Sequence, residues 1–129
     1  MGPAMSKARS LKRPEAKVLR DFALSLPETY EEFPWGERVA KVAKKVFVFL
    51  GHEDTPGVTV KLVDPALHAH ALSFPKAEET GYGLGRAGWV SLSLRGKTAP
   101  VRLLEEFIEE SYRAVAPKKL VAELDTRTA

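Results

Sequence analysis

The 129-residue sequence contains no cysteine, which excludes disulfides, thiolate nucleophiles and thiolate metal sites together. It also lacks a long apolar run. The longest extends from Val46 to Leu50, far short of the about 20 residues a membrane span needs, and no apolar signal segment follows the basic N-terminus. A cytoplasmic protein with no membrane partner is expected. No internal repeat or low-complexity stretch is present. Catalytic signatures are missing as well: there is no G-x-S-x-G for an acyl-transfer serine, and no H-R-D or D-F-G for a kinase.

Histidine is scarce, with three in the chain. His68 and His70 lie two apart, which on a helix turns their rings about 200° from each other. They cannot share one ion. His52-Glu53-Asp54 reads as a solvated turn, and the adjacent pairs Glu31-Glu32 and Glu78-Glu79 read as solvated loop acids rather than paired acid/base groups. No catalytic residue, metal or cofactor is therefore expected, and the chain reads as a non-enzymatic binding protein.

What is present is enough for one core: 44% of residues are hydrophobic in a length suited to one domain. A monomer is expected. The net charge of +3 is unevenly placed. Residues 1–20 hold six basic groups against one acidic, leaving 14 basic and 16 acidic groups in the remainder. Residues 1–13 are expected to be a flexible basic arm, 14–121 the folded domain and 122–129 a C-terminal tail. Such an arm is a footprint of nucleic-acid binding and equally of a solvated tail.

Apolar spacing at Val18, Leu19, Phe22, Ala23 and Leu26 behind Pro14 predicts a first helix, with Lys17 and Arg20 turned away. Glu28 to Gly36 reads as an acidic, aromatic loop. The stretches 39–43 and 46–50 predict a β-hairpin turning at Lys44-Lys45, and alternation at Val58, Val60 and Leu62 predicts a third strand. Asp64-Pro65 supplies an N-cap and first-turn proline for a short helix closed by Pro75. Val90, Leu92 and Leu94 predict a fourth strand. From Pro100 a long helix is predicted, with Val101, Leu104, Ile108, Tyr112 and Val115 inward. Helices packed on one face of a mainly antiparallel sheet follow: a compact two-layer α+β domain.

Gly83-Leu84-Gly85-Arg86-Ala87-Gly88 matches G-x-G-x-x-G, but it opens a strand and not a helix, so neither a dinucleotide nor a kinase loop is implied. Its backbone N–H groups and Arg86 are candidates for a phosphate; a plain glycine turn is the simpler reading. Trp35, Tyr82 and Trp89 are read either as caps on the core or as a surface platform near Lys41, Lys61, Arg86 and Arg95.

Several motifs occur in a fixed order: Leu26-Pro27, Phe33-Pro34-Trp35-Gly36, Val60-Lys61-Leu62 before Asp64-Pro65, Gly81-Tyr82 ahead of Trp89, Glu110-Ser111-Tyr112 and Pro117-Lys118-Lys119. The ordered set, over about residues 14–121, resembles the MmcQ/YjbR family. That resemblance implies a CyaY-like, double-wing α/β domain associated with DNA binding. After Gly-Tyr the family's usual His-Leu-Asn-Lys-x-His-Trp is replaced here by residues 83–89, in which only Leu84, Arg86 and Trp89 correspond. Similarity to an iron-handling fold does not carry iron with it, and the first helix is basic.

The expected function is thus DNA binding. The arm and first helix (Lys12, Arg13, Lys17, Arg20) and the lysines Lys41, Lys44, Lys45 and Lys61 with Arg86 would contact phosphates. Trp35, Tyr82 and Trp89 would stack or wedge. Two alternatives stand beside it: a protein-interaction module using the aromatic loops, and a protein that binds, or an enzyme that acts on, a small phosphorylated ligand at Gly81–Gly88, which would need a pocket beside Arg86.

Overall fold

The computed structural model describes residues 13–51, 56–81 and 83–128. Six strands form one sheet, β1 (Thr29–Glu32), β2 (Arg38–Val42), β3 (Lys45–Gly51), β4 (Pro56–Lys61), β5 (Glu78–Glu79) and β6 (Trp89–Ser93), in the order β1-β2-β3-β4-β6-β5. Every neighbouring pair is antiparallel. Four helices accompany them among the described residues: α1 (Pro14–Ser25), α2 (Pro65–Leu72), α3 (Val101–Val115) and α4 (Lys118–Thr128).

Register divides the sheet into rows that cross its full width. One row reads Glu31, Ala40, Val48, Val60, Val90, Glu79. Its apolar centre is buried and joins Leu19 and Ala23 of α1, Ala71 of α2, Leu104, Phe107, Ile108 and Tyr112 of α3, and Leu120 and Leu124 of α4 in a single core. All four helices therefore cover this inner face, as the α+β pattern predicts. The next row, Glu32, Val39, Phe49, Thr59, Ser91, Glu78, lies on the other face. There Thr59 and Thr80 both hydrogen-bond to Ser91, at 3.1 and 3.0 Å, beside an apolar group in which Val39 is fully buried and Phe49 meets Trp89.

The helices start and stop for local reasons. Asp64 caps α2, its carboxylate accepting the Leu67 N–H at 3.0 Å, and Pro65 occupies the first turn. On α3 a stripe of Leu104, Phe107, Ile108, Ser111 and Tyr112 is buried. Val101 and Val115, expected on that stripe, lie at its margins and are half-buried. Ser111 is the polar member. It donates to the Phe47 carbonyl and accepts the Lys61 N–H at 2.8 Å, satisfying backbone groups beside a β2–β3 bulge.

Several local expectations need correction. Residues 28–36, expected as a loop, contain β1 and a 3₁₀ turn, Pro34–Gly36; β1 shows no apolar alternation because its inward Glu31 is neutralised by distant arginines. The hairpin turns at Ala43 and Lys44, not at Lys44-Lys45, with both at positive φ (51° and 67°) as a type I′ turn requires. Glu78 and Glu79 form a two-residue edge strand and not a loop, although both are exposed. Val18 is exposed rather than packed, since α1 buries only the Leu19 and Ala23 stripe. The segment 122–129, expected as a tail, continues α4 through Thr128. Arg127 of α4 donates to the Ser25 carbonyl at 2.8 Å and Asp125 pairs with Arg113 at 2.9 Å, tying α4 to α1 and α3.

Candidate functional site

One end of the sheet gathers cations. The Ala43-Lys44 turn exposes Lys44 and Lys45. Because β3 and β4 are antiparallel, the last residue of β4, Lys61, returns to that end, and it pairs with Trp89 at the start of β6. Just before Trp89 comes the 3₁₀ turn Leu84–Ala87 with exposed Arg86. Lys44, Lys45, Lys61 and Arg86 thus line one rim, about 15 Å long at the usual spacing of adjacent strands. None makes an ion pair with a described residue.

The Ser111 hydrogen bonds bring the C-terminal end of α3 to the same rim, and α4 starts there with exposed Lys118 and Lys119. These two lysines were not assigned to the site from the sequence. The available signal was Pro117 ahead of Leu120 and Leu124, a helix start with its inward i, i+4 pair. Lysines in a first helical turn oppose the helix dipole, so their placement adds positive potential to the rim at a small cost.

Other candidate cations are already engaged. Lys41 lies 3.0 Å from Glu32 on the open face. Arg20 of α1 reaches Glu31 at 3.1 Å and Asp21 at 3.0 Å. Arg38 also donates to Glu31 and covers the Phe33 ring at 4.8 Å. Burial of Glu31 opposes its ionisation, but hydrogen bonds from Arg20 and Arg38 outweigh this and hold its carboxyl below the ordinary value. Arg13 lies 3.5 Å from Glu15, whereas Lys17 is exposed without an ion pair among the described residues. Lys12, with the rest of the arm, lies outside the described residues, as do Tyr82 and His52-Glu53-Asp54.

The two tryptophans are placed differently. Trp89 is 9% exposed, its ring edge-on to Phe49 at 5.4 Å on the sheet face away from the helices, so the ring is packed there. Trp35 is 99% exposed and sits at φ 55° on the Pro34–Gly36 turn. Left-handed backbone is costly for a large side chain. Here it accompanies hydrogen bonds from Gly36 N to the Phe33 carbonyl and from Glu37 N to the Pro34 carbonyl, which close the turn on either side of it. Trp35 precedes β2 and Lys44 follows it, so the exposed indole and the basic rim lie at opposite ends of that strand.

Four donors of the glycine loop are already used. The N–H groups of Leu84, Gly85, Arg86 and Gly88 bond to the carbonyls of Gly81, Thr80, Gly83 and Gly85, so they are not turned toward a ligand. A concavity does lie beside Arg86: a groove of about 410 Å³ between α2 and the loop. His68 in its wall has both ring nitrogens engaged, Nδ1 3.2 Å from the Leu62 carbonyl and Nε2 3.0 Å from Glu79. His70 faces away, against Phe74 and Phe107. Among the described residues no three His, Asp or Glu side chains come together as a metal site. No helix there is long and apolar enough to cross a membrane.

An open antiparallel sheet with four helices on one face, none on the other among the described residues, and a lysine-lined rim defines a small α+β domain. The matching family model is described as YjbR and covers residues 24–114. The chain belongs to that family. No curated protein matches it.

Proposed function

We propose that this YjbR-family chain is a non-enzymatic DNA-binding protein whose basic rim contacts the duplex backbone. The observation that carries this reading is that Lys44, Lys45, Lys61 and Arg86 share one end of the sheet without ion-pair partners among the described residues, while Arg20 and Lys41 are neutralised in place. Unpaired cations along one edge suit phosphates, which position a protein on a duplex without reading its sequence. The basic arm, Lys12 and Arg13 included, would extend the contact.

The test is a fluorescence-anisotropy titration of a duplex at several salt concentrations. Replacing Lys44, Lys45 and Lys61 by Ala should make the log–log salt dependence shallower by about 2.7 units, at about 0.9 for each phosphate no longer neutralised. An unchanged slope, or no binding by the parent protein at low salt, would refute it.

A second reading rests on Trp35. An indole 99% exposed on strained backbone, away from the basic rim, suits a protein partner better than a phosphate backbone. Loss of a co-purifying protein on Trp35→Ala, with DNA binding unchanged, would favour it.

A further inference from the structure

The groove between α2 and the glycine loop is built like a small-molecule site. Its floor and walls are apolar: Leu62, Val63, Pro65, Ala69 and Leu72. Val63 is 63% exposed there, and Leu84, on the loop that forms the far wall, is 37% exposed. Apolar surface left open beside a concavity marks a place where something docks. A volume of about 410 Å³ lies within the range of ligand pockets.

The walls are fixed before any ligand arrives. Gly88 has φ +102°, and a Cβ there would approach the Leu62 carbonyl oxygen to 2.9 Å. The same two residues are joined by a 2.8 Å hydrogen bond from Leu62 N to Gly88 O. Gly85 packs as closely, since a Cβ on it would meet that of Glu79 at 3.0 Å. The glycines that resemble a phosphate-binding motif are needed instead to seat the loop against β4 and β5. His68 is locked on both nitrogens, so its ring is wall and not reagent. Arg86 is the charged group left over. It lines the groove, is exposed and has no ion-pair partner among the described residues; the neighbouring carboxylate, Glu79, is engaged by His68 at 3.0 Å.

The geometry points to a binding site for a small ligand with an apolar body and one anionic head group, a carboxylate or phosphate. The body lies on Leu62, Pro65 and Leu72. The head group pairs with the Arg86 guanidinium at the mouth. Among the described lining residues there is no nucleophile, and His68 has both ring nitrogens engaged, so the proposal is of binding and not of chemistry. The site does not depend on DNA binding and takes a ligand that contains no nucleotide.

The full-length protein is titrated calorimetrically with 2-naphthoate and with its uncharged amide. Naphthoate should bind about five- to tenfold more tightly, the effect of one charge-assisted contact at a partly exposed site. Arg86→Ala should erase that preference. Ala69→Trp, at an exposed α2 position that leaves the core alone, should fill the groove and abolish both titrations while leaving the circular dichroism and DNA affinity of the parent. Equal affinity for acid and amide, naphthoate binding that survives Ala69→Trp, or no binding of naphthoate at all would overturn the site. Failure of the protein to bind DNA would not, since neither probe mimics a nucleic acid.

Discussion

Glu31 and Glu79 stand in the same transverse row of the sheet, one at each edge, and each is met by a basic side chain from a helix. Arg20 of α1 reaches Glu31 at 3.1 Å and His68 of α2 reaches Glu79 at 3.0 Å. The two clasps differ in burial. Glu31 is 18% exposed and shared with buried Arg38, whereas Glu79 is 60% exposed.

The difference sets the first prediction. Glu31→Gln removes the charge from a half-buried carboxylate that accepts from both Arg20 and Arg38, and should cost about 2–3 kcal/mol at neutral pH. Because the Glu31 carboxyl is held below its ordinary value when folded, the unfolded chain binds more protons through that range. The stabilisation is present above the unfolded value of about 4.3 and is lost as pH falls through the lower folded value. The gap between parent and variant in urea unfolding should therefore narrow below about pH 4. A gap constant from pH 7 to pH 3 would sink this account.

At the other edge, Glu79→Gln should change stability by less than about 1 kcal/mol, as for other exposed pairs. The same unfolding measurement checks it. A loss as large as that of Glu31→Gln would mean that edge position, and not burial, decides the worth of these contacts.

Ser111 gives a sharper core prediction. Its hydroxyl satisfies both the Lys61 N–H and the Phe47 carbonyl inside the protein. Ser111→Ala leaves two backbone groups without partners, and each such group costs about 1–3 kcal/mol. A loss of about 2–4 kcal/mol with an unchanged denaturant slope is expected. A variant as stable as the parent would show that water or a shift of the bulge replaces the hydroxyl.

The elements legible from sequence are those whose inward residues are apolar and periodic, α1, α3, β2, β3, β4 and β6, together with α2, which is marked by its Asp64-Pro65 start. β1 was not, because its inner-row residue is Glu31, and only the folded chain brings Arg20 and Arg38 to it. α4 buries just Leu120 and Leu124, too short a stripe to stand out beside Lys118 and Lys119. At the candidate site the residue types were legible and the pairings were not. Nothing local distinguishes Lys41, held by Glu32, from Lys44, which has no such partner among the described residues.

Trp35 combines exposure with strain, which permits a test that separates folding from function. Asn tolerates left-handed backbone far better than Trp does, and the indole buries almost nothing. Trp35→Asn should leave the protein as stable or about 0.5–1 kcal/mol more stable, by relief of the unfavourable φ. If the indole serves binding, the stabilised variant should bind its partner more weakly. A variant that loses stability would show that the exposed ring supports the fold after all.

The last prediction sorts the cations by what they face. A salt slope counts phosphate contacts, each worth about 0.9 units, and not the net charge of the protein. Lys44→Gln with Lys45→Gln should therefore reduce the slope of DNA binding by about 1.8 units and leave stability unchanged, since both side chains are exposed, Lys44 on the turn and Lys45 at the start of β3. Arg20→Gln removes the same kind of charge, but one already spent on Glu31 and Asp21. It should lower stability by about 1–2 kcal/mol, because Glu31 loses a charged hydrogen-bond donor, and leave the slope where it was. Anisotropy titrations at four or more salt concentrations, paired with urea unfolding of the same preparations, read both quantities. If Arg20→Gln flattens the slope as much as the change of one rim lysine, the cations act through their summed field and the rim holds no special position in DNA binding.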